Sequence, residues 1–181
     1  IDNRVGFDIS YYKRTAKDQI INRPLDPSTG YGSTFLNAGT ISNKGIELGF
    51  TLTPFTSKNM SLNLRTNFTK NVSKVESLPD GSKEILIGGF TNLGAFAIEG
   101  QPFGVIKGAY VVRDGGTVED GNLGRVGNLL VTANGDWKIS SETGIIGDPN
   151  PDFSMSQFLD FNVYGFSLFG QVDFVKGGDI F

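Results

Sequence analysis

Between Met60 and Lys70 apolar and polar side chains alternate without a break. Met60, Leu62, Leu64, Thr66 and Phe68 fall on one face, and Ser61, Asn63, Arg65, Asn67 and Thr69 on the other. A period of two is the signature of a strand with two unlike faces. Lys44–Pro54 behaves the same way, with Ile46, Leu48, Phe50 and Leu52 opposing Glu47, Gly49, Thr51 and Thr53. The short connection Phe55–Asn59 makes these two strands a hairpin, and Pro54 closes the first. Arg4–Arg14 sets Val5, Phe7, Ile9 and Tyr11 against Arg4, Gly6, Asp8 and Ser10. A last hairpin turns on Tyr164–Gly165. Phe153, Met155, Leu159, Phe161 and Val163 oppose Ser154, Ser156, Asp160 and Asn162 before the turn, and Phe166, Leu168, Val172 and Phe174 oppose Ser167, Gln171 and Asp173 after it.

Each of the five runs is about eleven residues long, close to what a tilted strand needs to cross a bilayer and about twice an average globular strand. Their polar faces carry Asn, Ser, Thr, Gln and Gly, as suits a hydrated lumen. Phe55, Phe161, Tyr164 and Phe166 gather at strand ends, where interfacial girdles form. The fold class expected is therefore all-β, with antiparallel transmembrane β-barrel strands. The competing reading is a soluble or surface-exposed β-sandwich with a Phe-rich core that binds glycan or protein.

Connections alternate between short (Phe55–Asn59, Tyr164–Gly165) and long (about Thr15–Ser42). Barrels of the outer membrane pair short periplasmic turns with long extracellular loops. With that orientation, parity requires zero or two crossings between Lys70 and Phe153. Phe103–Arg113 is one candidate, with Ile85–Ile98 or Arg125–Thr132 as its partner. Five to seven strands do not close a barrel, and an open edge in lipid is costly. The expectation is that residues 1–181 form one partial β-barrel domain of a longer polypeptide.

Composition narrows the function classes. The net charge of −3 leaves no basic footprint for nucleic acid. Cysteine and histidine are absent, which removes thiol chemistry, the commonest general base and the commonest transition-metal ligand. No run of 18 apolar residues suggests a transmembrane helix, which leaves barrel strands open.

Four segments carry a resemblance. "NAGTISNKGIELGFTLTP" (Asn37–Pro54) resembles the N-x-G-x-[IV]-x-N-x-G-[IV]-E motif of the SusC/RagA family of TonB-dependent outer-membrane transporters of Bacteroidota. "EGQPFGVIKGAYVVRDG" (Glu99–Gly115) is similar to its G-x-P-x-G-x-x-x-G-Y segment, with Ala109 intervening before the Tyr. "NGDWKISSETGIIGDPNPDF" (Asn134–Phe153) and "FSLFGQVDFVKGGDIF" (Phe166–Phe181) resemble the stretch and strand that follow. The resemblance implies the late part of a 22-stranded, plugged barrel in the cell outer membrane, with plug, TonB box and final strands outside these residues. It implies import of an oligosaccharide- or peptide-type nutrient, a SusD-like surface lipoprotein as partner, and energy from TonB–ExbB–ExbD acting through other parts of the chain. The partner of the strands themselves is the lipid bilayer.

Candidate chemistry is sparse. "TANGDWKISSET" (Thr132–Thr143) overlays an EF-hand loop with Asn134 and Asp136 at two ligand positions. Thr132, Trp137 and Thr143 replace the first Asp, the turn Gly and the bidentate Glu, so an ordinary turn is expected and no metal. Glu119 with Asp120, and Asp148 with Asp152, sit in Gly/Pro-rich loops as solvated charges. "GGFTNLG" (Gly88–Gly94) lacks the P-loop Lys. Tyr31, Phe35 and Trp137 lie in expected extracellular loops and are candidates for ligand contact. No catalytic residue and no cofactor are expected.

Overall fold

The computed structural model describes residues 4–37, 39–114 and 127–180. The chain forms strands β1 (Val5–Ala16), β2 (Ile20–Pro24), β3 (Ser33–Asn37), β4 (Thr40–Thr56), β5 (Met60–Ser77), β6 (Glu84–Phe90), β7 (Leu93–Ile98), β8 (Val105–Val111), β9 (Ile139–Gly147), β10 (Pro151–Val163) and β11 (Phe166–Gly177), with two short 3-10 turns. It divides into two compact units.

The first unit takes Ile1–Arg14, Asn43–Val72 and Pro151–Gly177 and holds a five-stranded sheet in the order β1-β4-β5-β10-β11. β10 runs antiparallel to both neighbours, with Leu159 opposite Leu64 on one side and Gly170 on the other. Because β5 pairs directly with β10, no crossing of this sheet intervenes between Lys70 and Phe153, which is the zero-crossing alternative. The candidate crossings resolve differently. Ile85–Ile98 is a hairpin, β6 and β7, and Phe103–Arg113 holds the short β8. Arg125 and Val126 lie outside the described residues, and the rest of Arg125–Thr132 contributes isolated bridges, Arg113 to Leu129 and Val131 to Trp137.

The alternation read from the sequence sorts this sheet into faces. One face carries rows such as Phe68, Met155 and Phe174, or Leu62, Phe161 and Leu168. Rings meet along it: Phe68 lies 5.3 Å from Phe153, Phe153 5.7 Å from Phe174, Phe55 6.2 Å from Phe161 and Phe7 6.0 Å from Phe50. These side chains are not covered as a sandwich core would be. Phe7 is 66% exposed, Tyr11 70%, Phe166 77% and Val172 69%. A face this apolar and this open is expected of a wall that meets lipid.

The hairpins close as their residues dictate. Tyr164 and Gly165 both adopt positive φ, 46° and 88°, the backbone of the two-residue turn whose twist matches the strands it joins. Beside it, the Tyr164 amide donates to the Asn59 carbonyl (2.8 Å) and the Ser57 amide to the Met60 carbonyl (2.7 Å). β4 and β5 exceed the expected eleven residues, because their loop-side ends, up to Ser42 and from Ser73, belong to the second unit.

The second unit takes Thr15–Ser42, Ser73–Asn150 and Gly178–Phe181. It contains the hairpin β2–β3 and a four-stranded sheet in the order β6-β7-β8-β9. The segment expected as one long loop, Thr15–Ser42, thus carries its own hairpin and 3-10 turn. The buried apolar cluster of Val75, Leu78, Ile85 and Ala97 sits here, with Leu36, Ile87 and Phe103 packed against it. Buried Phe96, Val105 and Ile106 extend it. Among the described residues, every buried apolar side chain falls in this unit. The five-stranded sheet leaves its apolar face uncovered, and the second unit buries its own apolar side chains.

Candidate functional site

The polar face of the five-stranded sheet is built by the residues that alternate with the apolar rows. Thr53 Oγ1 donates to Asn63 Oδ1 (2.8 Å), and Ser167 Oγ to Asn162 Oδ1 (2.6 Å). Gln171 Nε2 donates to both carboxylate oxygens of Asp173 (3.1 and 3.0 Å). The Arg65 guanidinium lies 4.5 Å from the centre of the Phe158 ring, directly across from it in register. This stack on the polar face escaped the alternation reading, which assigned Phe158 to neither face. The paired position Arg65 is the signal that identifies it. Tyr12 belongs to the same face. Its hydroxyl donates to Asn71 Oδ1 (3.1 Å) and its ring crosses Gly45, where a Cβ would lie 2.5 Å from the ring. The glycine of the N-x-G-[IV]-E motif is thus required by an aromatic crossing its strand.

Midway along β10 an amide interrupts the apolar row. Gln157 stands between Met155 and Leu159, opposite Thr66 and Val172. Thr66 Oγ1 donates to Gln157 Oε1 (2.6 Å), and Gln157 Nε2 donates to the carbonyls of Phe158 (3.1 Å) and Arg65 (3.3 Å). The amide is therefore satisfied within the sheet, which makes it tolerable away from water.

In the loop-side unit, three of the segments that carry the family resemblance meet. Val75 exchanges backbone hydrogen bonds with the Gly100–Gln101 turn (2.8 and 2.9 Å). The Phe103 amide donates to Ser73 Oγ (3.1 Å), and the Phe103 carbonyl accepts from Asn150 Nδ2 (3.1 Å). Asp148 Oδ1 accepts from both the amide and the side chain of Asn150 (2.9 and 2.7 Å), which shapes the G-D-P-N-P turn. Asp148 and Asp179 clasp each other: the Asp148 amide donates to Asp179 Oδ2 (2.9 Å) and the Asp179 amide to the Asp148 carbonyl (2.7 Å). A Cβ on Gly147 would meet the Asp179 Cβ at 2.8 Å, so the clasp needs glycine there. Asp148 is thus a structural acceptor rather than half of an acid/base pair with Asp152, which sits against Gly177 in the other unit. Glu119 and Asp120 lie outside the described residues.

The three aromatic candidates are presented singly. Tyr31 is 73% exposed, Phe35 74% and Trp137 57%. Phe35 projects from β3 while its neighbour Leu36 packs on the core, so the hairpin is anchored by one side chain and displays the next. Trp137 pairs with Val131 across a hairpin tip, in which the Gly135 amide donates to the Thr132 carbonyl (3.0 Å) and Gly135 holds φ 87°. Asn134 and Asp136 occupy that tip. Among the described residues, no group of three or more Asp or Glu side chains is arranged to hold a metal ion. Further along, Asp114 accepts from the amide and side chain of Asn128 (2.7 and 3.2 Å). The amide bond first and the side-chain bond second hold its carboxyl below its ordinary value. An open groove of about 410 Å³ lies at the short-turn end, lined by Lys58, Met60, Asn162, Tyr164 and Phe166 among others, with no carboxylate in its walls.

Residues 1–102 match the model of the family described as TonB dependent receptor-like, beta-barrel. The chain belongs to the TonB-dependent receptor β-barrel family. It is similar to TonB-dependent receptor P3 of Formosa agariphila, 29% identical over 99% of this chain and 19% of that protein. It is also similar to TonB-dependent receptor P39 of the same organism, 23% identical over 98% of this chain and 15% of that one. The chain therefore spans less than a fifth of the length of these relatives. Its fold matches solved structures of the RagAB peptide importer: the closed-closed state at TM-score 0.69 and 21% identity over 98% of this chain and 20% of that chain, and the open-open state at 0.64 and 20% over 98% and 19%. The resemblance read from the four sequence segments is borne out. The five-stranded sheet is a piece of TonB-dependent receptor barrel wall, and its exposed apolar face follows from that setting.

Proposed function

We propose that this chain supplies barrel wall and loop-side structure to an outer-membrane transporter that imports an oligosaccharide- or peptide-type nutrient, energised through TonB. The carrying observation is the five-stranded antiparallel sheet with an open apolar face on one side and a hydrogen-bonded polar face, including the Arg65–Phe158 stack, on the other. A bilayer on one side and a hydrated passage on the other are the environments these faces fit. The segments that complete a plugged barrel and engage TonB–ExbB–ExbD belong to other parts of a longer chain, consistent with the small share of its relatives that these residues cover. The loop-side unit faces the exterior, where exposed Tyr31, Phe35 and Trp137 meet cargo or a SusD-like lipoprotein. The fold shared with the RagAB peptide importer supports this reading. It assigns no chemical step to any residue.

Epitope tags in the parent protein on intact cells test this orientation. Tags at residues 28–33 are expected to be labelled from outside, and tags at residues 57–58 only after the outer membrane is permeabilised. The reverse pattern inverts the topology, and labelling at both sites removes the membrane-wall reading.

A further inference from the structure

Four lysines stand in a band on the apolar face of the five-stranded sheet, all at its loop-side end. Lys13, Lys44, Lys70 and Lys176 each share parity with the apolar rows of their strands: Lys13 follows Phe7, Ile9 and Tyr11; Lys44 precedes Ile46 and Leu48; Lys70 follows Leu64 and Phe68; Lys176 follows Val172 and Phe174. All four are exposed. Among the described residues, none of the four makes an ion pair or a side-chain hydrogen bond. The apolar rows of β1, β11 and the wall portions of β4, β5 and β10 contain no Asp or Glu. Asp152, at the bulge that opens β10, holds its carboxyl beside Gly177 and makes no ion pair with Lys176.

The register places these ammonium groups close together. Phe153 lies opposite Lys176, and the β5–β10 pairing that sets Ser154 opposite Thr69 puts Phe153 beside Lys70 on its other flank. The Phe153 ring, stacked against Phe68 and Phe174, thus lies between two lysines about 10 Å apart, two strand spacings. On the far strands the Tyr12 ring crosses Gly45, which brings Lys13 and Lys44 side by side on the opposite face. Like charges directly across a strand pair repel. A band of cations about 19 Å wide, four strand spacings, with a like-charged pair and no acid in these rows, calls for anions from outside the sheet. Lysines at the rim of an apolar band rest their stems on it and lift their heads to the level of lipid headgroups.

Building on the wall reading above, we propose that this lysine band binds the phosphate groups of an anionic outer-leaflet glycolipid, with the lipid's acyl chains lying along the apolar rows below. The short-turn end of the same face supports the assignment by contrast. Its strand residues there are Val5, Leu52, Pro54, Met60, Val163 and Phe166, with no cation, and Lys58 at that end lies in the turn beyond the strands. A free inorganic anion would gain nothing from the apolar rows beneath, whereas a phosphorylated lipid meets both features at once.

The test uses the full parent protein in detergent and in nanodiscs, with bis-phosphorylated lipid A, enzymatically dephosphorylated lipid A and inorganic phosphate as probes. Native mass spectrometry counts the lipid retained. The expected result is retention of bis-phosphorylated lipid A over the dephosphorylated form, with no displacement by millimolar phosphate. Retention should fall about five-fold for each lysine removed, the factor for one basic side chain near an anionic membrane surface. K13Q/K44Q and K70Q/K176Q should each show the loss, and the four-fold lysine-to-arginine variant should restore retention. Equal retention by K13Q/K44Q/K70Q/K176Q, equal retention of the dephosphorylated lipid, or displacement by phosphate overturns the proposal. A spin label at position 168 separates this failure from failure of the wall reading: lipid-soluble oxygen should relax it more than a water-soluble nickel chelate. If it does so while the lipid results go against the lysines, the wall stands and the lipid site falls; if it does not, both fall.

Discussion

Leu64→Arg and Asn63→Arg place the same charge on adjacent residues of β5 and on opposite faces of the wall. The apolar rows run from the level of Met60, Val163 and Phe166 to that of Phe68, Met155 and Phe174, eight residue steps along β5. At about 3.4 Å per residue and a tilt of about 40°, that band stands roughly 21 Å tall, close to the lipid-facing band of known barrels. Leu64 is its midpoint, with Leu159 beside it. An arginine there should destabilise the assembled barrel by about 2–4 kcal/mol. Asn63 faces the other way and accepts a hydrogen bond from Thr53 at 2.8 Å. Replacing it loses about one hydrogen bond, roughly 0.5–1.5 kcal/mol, and exposes the new charge to water. The two variants should therefore differ by about 2 kcal/mol, near a thirty-fold change in the folding equilibrium. Reversible denaturant unfolding of the parent protein in phospholipid bilayers measures both. Equal costs, or a larger cost for Asn63→Arg, would refute the assignment of faces.

The Thr66–Gln157 pair should behave as a closed polar unit in lipid: Thr66→Val alone strands the glutamine and should cost about 1–3 kcal/mol, whereas Thr66→Val with Gln157→Leu should be near neutral or stabilising in the same unfolding assay. Gly45→Ala should cost about 1–3 kcal/mol because the new methyl meets both the Tyr12 ring and the Lys70 carbonyl, and Gly45→Ala with Tyr12→Ala should recover part of that loss by relieving the ring contact. Asp114 has a carboxyl held below its ordinary value of 3.8, so the stabilisation it gives its loop is present above that value and is lost as pH falls through the lower, folded value. Hydrogen exchange at the Asn128 amide should accordingly gain a step on acidification below pH 3.8 that Asp114→Asn removes, and an unchanged profile in that variant would exclude the carboxylate as the latch.

The alternation of side chains by itself determined which residues share a face in β1, β4, β5, β10 and β11, because successive side chains on a strand point opposite ways whatever the strand pairs with. Tyr164–Gly165 was legible as a turn for the same local reason, since two residues with positive φ close a hairpin without help from distant contacts. Tyr31, Phe35 and Trp137 are exposed, but Phe35 stands on strand β3 where the sequence reading expected a loop. Strand partnership is a different kind of quantity. It depends on backbone hydrogen bonds between segments far apart in the chain, and an alternating strand fits many neighbours equally well. Only the tertiary structure therefore decided that β5 pairs with β10 across the intervening segment, and that β6 to β9 form a separate sheet around Val75 and Ile85 rather than adding crossings to the wall. It also decided what single side chains do. Gln157 interrupts an apolar run in the sequence, and its tolerance there rests on Thr66, 91 residues away. Gly45 is one glycine among 25 until Tyr12 crosses it. Asp148 looked like a solvated loop charge and is a latch because Asp179 and Asn150 return to meet it. Faces and turns follow from a few neighbouring residues, whereas pairings, clasps and close approaches follow from which distant segments the folded chain brings together.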